Sequence, residues 1–376
     1  MGALNIKIPN IFSPVKNATT GMIGLYLGLK EINLVQIDRH NDALSIRSAA
    51  SIRYPLSRDE FLNSPKAGKK FFNDILSSFG FKGRQVVATL PTDKVKLIMV
   101  SYQHGNGMDE AQSIVKAIDE RSETNLDTSV VDYILVNPKS EQQGSQSVLA
   151  AIADKRSVTS YLEGLRKCNL SVQMLEIGPI AINRLICGMQ KEQRNFKVLV
   201  VNFGVDKSFL TVSWGGRLLL DRGIDFGVAP VLDVLEQRLG MERDDVINML
   251  ERHGFEENSS TSQELSIDDS NISHTIREIL KPLFRQLAKA INEVLVYTAS
   301  ETQGGAIEQI YLFGSIARWR GADQLIDQLI TLPISSIPPF FGIPVKGDFF
   351  NPQSIKAVPG MAVATGLALR GMLNDP

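Results

Sequence analysis

The sequence predicts an α/β protein of two halves, with a small α/β unit inserted in the first. Three observations predict it. Strand and helix patterns alternate along the chain, as in sheets covered by helices. A strand–glycine–strand pattern at Met22–Ile37, MIGLYLGLKEINLVQI, recurs at Val198–Val212, VLVVNFGVDKSFLTV, so the chain carries a weak internal repeat. Gln85–Leu90, QVVATL, is an apolar run closed by Pro91, the pattern of a strand buried on both faces.

The elements follow in order. Met1–Thr20, with Pro9 and Pro14, reads as a mostly extended leader without the continuous apolar core of a signal peptide. Apolar alternation on both sides of Gly28 predicts a hairpin turning near Leu29–Glu31, and a third strand follows near Ala43–Ile52. Arg58–Phe79 has helical period in Phe61, Phe72, Ile75 and Leu76, with Gly80 in the place of a C-cap. Lys94–Tyr102, Val130–Val136 and Val148–Ala153 read as strands, and Met108–Arg121 and Ser157–Lys167 as helices. Leu175–Ile177 and the helix Ile180–Met189 close the first half. In the second, Leu218–Asp221 is a third strand after the turn at Trp214–Arg217, and Val228–Leu239 a helix. Asn258–Ser270 reads as an exposed polar loop, and Ile272–Ser300 as a long helix that Pro282 restarts or kinks. Gln309–Phe313 is a buried strand and Asp323–Ile330 a helix. Thr331–Pro352 holds five of the sixteen prolines and reads as extended, and Met361–Met372 is the last helix. The domain reading is 1–20 leader, 21–92 with 169–194 first half, 93–168 inserted unit, and 195–376 second half with a helical part at 228–300.

Composition excludes several function classes. The 376 residues suit two or three domains. The chain is 43% apolar and 22% charged with a net charge of −1, which gives no electrostatic grip on nucleic acid or anionic lipid. Its two cysteines, Cys168 and Cys187, read as small buried hydrophobes of a reducing compartment, and no pair of its four histidines has metal-ligand spacing; His253 and His274 stand isolated. No apolar run reaches 18 residues, so any membrane role is expected to pass through a membrane-bound partner.

Three glycine turns fall in one order: Leu25–Gly28, Val198–Ser208, and Tyr311–Leu325 around Gly314-Ser315. Glycine at a hairpin turn lets backbone N–H groups approach phosphate oxygens. This order resembles the actin/Hsp70/sugar-kinase superfamily, with its actin-like, ribonuclease H-like fold, in which the three are two phosphate turns and an adenosine turn. The inserted unit after QVVATLP and the ending AVATGLALRGM resemble the PilM family more closely. These are cytoplasmic scaffold proteins of type IV pilus assembly, related to the cell-division protein FtsA. The likeness runs from about Gly21 to Leu373.

The resemblance implies a nucleotide site at Tyr26, Gly28 and Lys30 in the first turn, Asn202, Gly204, Asp206, Lys207 and Ser208 in the second, and Gly314 and Ser315 in the third. The residues depart from the family pattern. Tyr26 and Asn202 stand where it has magnesium-organising carboxylates, and a neutral amide cannot offset a divalent ion. The expectation is a degenerate site with no metal, no catalytic residue and no required cofactor, Mg-ATP being the one candidate ligand, and no ATPase activity. The partner implied is the N-terminal cytoplasmic peptide of a PilN-like inner-membrane protein, held between the first half and the inserted unit near Lys94–Tyr102 and Glu176–Leu185. The location implied is cytoplasmic, at the inner membrane through that partner. The MSHA-pilus relative and the cytoplasmic part of a type II secretion protein share the pattern. The alternatives are an ATPase or kinase of the superfamily, which tight Mg-ATP binding with turnover would mark, and a self-associating, FtsA-like filament former.

Overall fold

The computed structural model describes residues 19–28, 31–41, 43–54, 58–103, 109–122, 124–136, 145–189, 196–256, 267–302, 304–346 and 360–372. Two sheets repeat one plan. In the first, β2 (Ile23–Leu27), β3 (Glu31–His40) and β4 (Ala43–Arg53) form an antiparallel meander, and β5 (Gln85–Thr89) and β9 (Ser171–Glu176) extend it parallel to β2, in the order β4-β3-β2-β5-β9. The short β1 (Thr19–Thr20) continues the line of β2 along β3. In the second, β10 (Lys197–Phe203), β11 (Ser208–Trp214) and β12 (Arg217–Ile224) form the meander, and β13 (Gln309–Gly314) and β14 (Ile334–Ser336) the parallel extension, in the order β12-β11-β10-β13-β14. The internal repeat in the sequence is thus a repeat of strand order and direction.

The inserted unit is an antiparallel sheet of β6 (Lys96–Gln103), β8 (Ser145–Asp154) and β7 (Ser129–Val136), in that spatial order. Strand alternation gives it two apolar faces. Val100, Tyr102, Val148 and Ile152 pack on Ile114 and Ile118 of α3 (Glu110–Arg121). Leu97, Met99, Ile134 and Leu149 face Ile177, Ile180 and Leu218 of β12, so the unit rests on both halves. The sequence reading groups the next helix, α4 (Lys155–Lys167), with this unit. Its buried stripe instead joins the core of the first half: Tyr161, Leu165 and the adjacent Cys168 pack with Phe61 and Phe72, and the Tyr161 hydroxyl donates to the Thr89 carbonyl at 2.9 Å.

The helix read over Arg58–Phe79 is two, α1 (Arg58–Leu62) and α2 (Pro65–Ser78), because Pro65 has no N–H for continued helix and starts a new one. The outer face of the second sheet is covered by α6 (Val228–Leu239), α7 (Arg243–His253) and α8 (Ile267–Glu301), with Phe203, Phe226, Phe255 and Phe284 at the centre of the core. Ile267–Ser270 of the expected polar loop belongs to α8; residues 258–266 lie outside the described ones. Pro282 sits on the exposed side of α8, which continues through it as one helix. The short α9 (Ala322–Asp327) packs at the end of β13.

Two helices cross between the halves. The helix α5 (Gly178–Met189) leaves the first sheet and lies against the second; α10 (Gly360–Arg370), placed by sequence position in the second half, returns to cover β2 and β3. They meet at backbone distance. A Cβ on Gly366 would lie 1.9 Å from the Ala181 carbonyl oxygen, and one on Gly24 would lie 2.0 Å from that of Ala364. Neither position has room for a methyl group. Gly366→Val should therefore destabilise the protein by on the order of 3 kcal/mol, read as a lower denaturation midpoint.

Candidate functional site

The three glycine turns are tight and largely closed on themselves. The Gly28 N–H donates to the Glu31 carbonyl at 3.0 Å, and its own carbonyl accepts from the Tyr54 hydroxyl at 3.1 Å. Leu29 and Lys30 lie outside the described residues. At Gly204 a Cβ would stand 2.3 Å from the Lys207 carbonyl oxygen, so the turn requires glycine. The carbonyls of Gly204 and Val205 accept from the N–H groups of Val228 and Ala229, which satisfies the first turn of α6. Asp206 is exposed, and Lys207 pairs in solvent with Asp225 at 3.3 Å. Ser208 is buried, its hydroxyl donating to the Phe226 carbonyl. Gly314 has φ +91°, and Ser315 donates its N–H to the Phe203 carbonyl at 3.1 Å.

The strand residues before these turns come together between the halves. Asn202 and Phe313 are neighbours across β10 and β13, and the Tyr26 ring lies 6.3 Å from that of Phe313. All three line one recess between the halves. Its other walls come from the end of β5 (Thr89, Leu90), from the inserted unit (Val95, Leu97) and from the start of α5 (Ile177–Pro179). The space, counted with the gaps between its lining atoms and the open solvent at its mouth, is about 480 Å³. Among the described residues lining it there is no carboxylate, lysine or arginine. Burial, followed by the nearby Glu31 carboxylate, pushes the Tyr26 phenol up to about 12, so it stays neutral. What the recess offers is apolar wall with a few neutral hydrogen-bonding groups.

Beside Tyr26 the halves are clasped by an ion pair: Arg318, just after the third turn, donates to Glu31 at 2.9 Å. A second trough, sharing Pro179 and Asn202 with the first, runs under α5 past Thr211 and Ser213. There Ser213 donates to the Asn183 side chain, and the Thr211 hydroxyl donates to Asp221 across β11 and β12. Burial pushes the Asp221 carboxyl up to about 6, the Thr211 hydrogen bond opposing it.

Of the residues read from the sequence, Tyr26 and Asn202 line the recess, Gly28, Gly204, Gly314 and Ser315 shape its turns, and Ser208 holds the base of one. Asp206 and Lys207 face solvent. The two segments expected to line a groove meet at Val95, Leu97 and Ile177–Pro179. Sequence reading missed Thr89, the polar residue inside QVVATL, and the Glu31–Arg318 clasp. Trp214, read as a contact point or a packed side chain, is half-buried under Lys197, whose Nζ lies 4.5 Å from the ring centroid.

Two outcomes follow. Arg318→Met leaves the nearly buried Glu31 carboxylate without its cation and should cost about 1–2 kcal/mol, while adding Glu31→Gln should recover at least half in a double-mutant cycle. Asp221 ionises near pH 4 when unfolded but near 6 when folded, so its stabilising effect is complete below pH 4 and is lost as pH rises through 6. Asp221→Asn should therefore raise stability by about 1–2 kcal/mol at pH 7.5 and leave it unchanged at pH 4, measured by urea unfolding at both.

The fold recurs in solved structures. One described as the PilM-PilN type IV pilus biogenesis complex superposes with a TM-score of 0.72 at 19% identity, covering 95% of this chain and 99% of that one. The ethanolamine utilization protein EutJ from Carboxydothermus hydrogenoformans superposes with 0.53 at 11% identity, covering 94% and 91%. At such identities these likenesses establish the actin-like fold. Among the described residues no helix is long and apolar enough to cross a membrane. The family model described as type IV pilus assembly protein PilM matches residues 24–372, nearly the whole chain from the first core strand through the second crossing helix. The chain belongs to the PilM family of type IV pilus assembly proteins.

Proposed function

We propose that this chain is a pilus-assembly scaffold that holds a short extended cytoplasmic segment of a PilN-type inner-membrane protein, and that it does so without hydrolysing ATP. It then acts on the cytoplasmic side, at the membrane through that partner. The observation that carries the reading is the recess between the first half, the inserted unit and α5: an apolar slot with neutral donors suits a peptide, which buries side chains and satisfies its backbone at once. The solved relative is, by its description, a complex of PilM with PilN.

The residues present do not fit Mg-ATP. Tyr26 and Asn202 supply no carboxylate for the metal, and the Gly28 N–H is committed to Glu31. Phosphoryl transfer relies on a bound cation to neutralise developing charge. The Tyr26–Phe313 pair and the Glu31–Arg318 clasp fill and tie the cleft with protein side chains instead.

Calorimetric titration tests this. The full chain should bind a synthetic peptide of the N-terminal cytoplasmic segment of the PilN-type protein encoded beside it, and give no saturable heat with Mg-ATP. Tight Mg-ATP binding with turnover, and no peptide binding, would place the chain among the superfamily's ATPases.

A further inference from the structure

The recess holds a polar group that the fold leaves unused. Thr89 is 1% exposed, and its hydroxyl has no hydrogen-bond partner among the described residues. Its backbone carbonyl is taken by Tyr161; the side chain is not. Alternation along β5 puts Thr89 on the same sheet face as Val87, toward the crossing helices, where it lines the recess. A buried hydroxyl without a partner is a cost that native structures rarely leave in place, which points to a ligand atom.

Two further features define that atom. The N-terminal end of α5 lines the recess at Gly178 and Pro179, so the positive end of a helix dipole borders it. Asn202 brings an amide on the opposite wall. No cation lines the recess among the described residues, so a phosphate or carboxylate would lose its hydration with only a helix end and neutral donors to offset a full charge. Neutral donors and a dipole end suit a neutral acceptor, and a peptide carbonyl is one. The remaining wall is aliphatic and aromatic: Leu90, Val95, Leu97 and Phe313. Through Leu97 it is continuous with Met99 and Ile134 on the cleft face of the inserted sheet.

We propose that this recess is the anchor subsite for the docked segment. It takes one aliphatic side chain of an extended peptide, and the Thr89 hydroxyl donates to the carbonyl beside that side chain. This rests on the docking reading above and adds the point at which the peptide is fixed: the strand ends that border a nucleotide in the wider superfamily here border a peptide residue.

The test uses the full chain and the same synthetic PilN-type peptide. Thr89→Val keeps the shape and removes the hydroxyl. Because that hydroxyl has no partner among the described residues, the melting temperature should stay unchanged or rise while peptide affinity falls about fivefold. Leu97→Trp fills the recess and should lower affinity at least tenfold. Alanine at the anchoring aliphatic position of the peptide should weaken binding to the native chain and have little effect on the Leu97→Trp variant. If the native chain binds and both variants bind equally well, the subsite is wrong and the docking reading stands. If the folded native chain does not bind the peptide, both fall. A Thr89→Val variant that melts lower would show a structural partner for the hydroxyl and overturn the subsite.

Discussion

The contact of α5 with α10 sets the geometry of everything between the halves. One helix leaves the first sheet for the second, the other returns, and they touch where Gly366 meets the Ala181 carbonyl. Only small residues permit this, and α10 reads GMAVATGLALR, with Gly360, Ala362, Ala364, Gly366 and Ala368 all buried. A side chain then locks what the small residues allow. Arg184 of α5 makes a two-pronged pair with Glu176 at 2.7 Å on each arm and also donates to the Gly366 carbonyl at 3.2 Å. Arg370 of α10 reaches the same carboxylate at 3.5 Å. With α5 pinned in this way, its first residues have one place to stand, at the recess.

The cleft is held by its own side chains. Tyr26 and Phe313 approach from opposite halves, Glu31 and Arg318 pair beside them, and the inserted sheet lies across Leu218 of β12. Such contacts are mostly apolar or partly shielded from solvent, where an ion pair keeps more of its attraction than on the surface. Asn33 shows the strain of this arrangement. It stands opposite Tyr26 in the sheet, fully buried beneath Gly360, with both amide atoms unpartnered among the described residues. The surrounding core carries that cost.

The architecture was legible because it repeats. A strand–glycine–strand pattern written twice, and a buried strand closed by Pro91, are local signals that survive in a single sequence. What was missed is non-local or short. The helix α7 buries little more than Val246 and Leu250, too few apolar residues to show a period, and β14 is three residues long between Pro333 and Pro338. Pro282, read as restarting or kinking the helix, lies inside one assigned helix: Leu280 and Phe284 on either side are fully buried and hold α8 together, while the proline faces water. The placements of α4 and α10 depended on packing partners far away in sequence. At the site, Tyr26 and Asn202 were readable as departures from a pattern. The Glu31–Arg318 pair joins residues 287 positions apart, and no local feature announces it.

The path of the crossing helices also orders the birth of the molecule. The face of the first sheet formed by Val35, Ile37, Ala49 and Val87 is covered in good part by α10. While the chain is being made, that face stays open until Gly360–Arg370 has left the ribosome, long after β2–β5 have emerged. The contact of Gly24 with Ala364 is among the longest-range in the fold, and contacts of this kind form late because the loop they close is large. The first half must therefore wait, partly unsealed, for its lid. A nascent chain in this state exposes a broad apolar sheet to water, which makes the interval before α10 arrives the stage most dependent on chaperones.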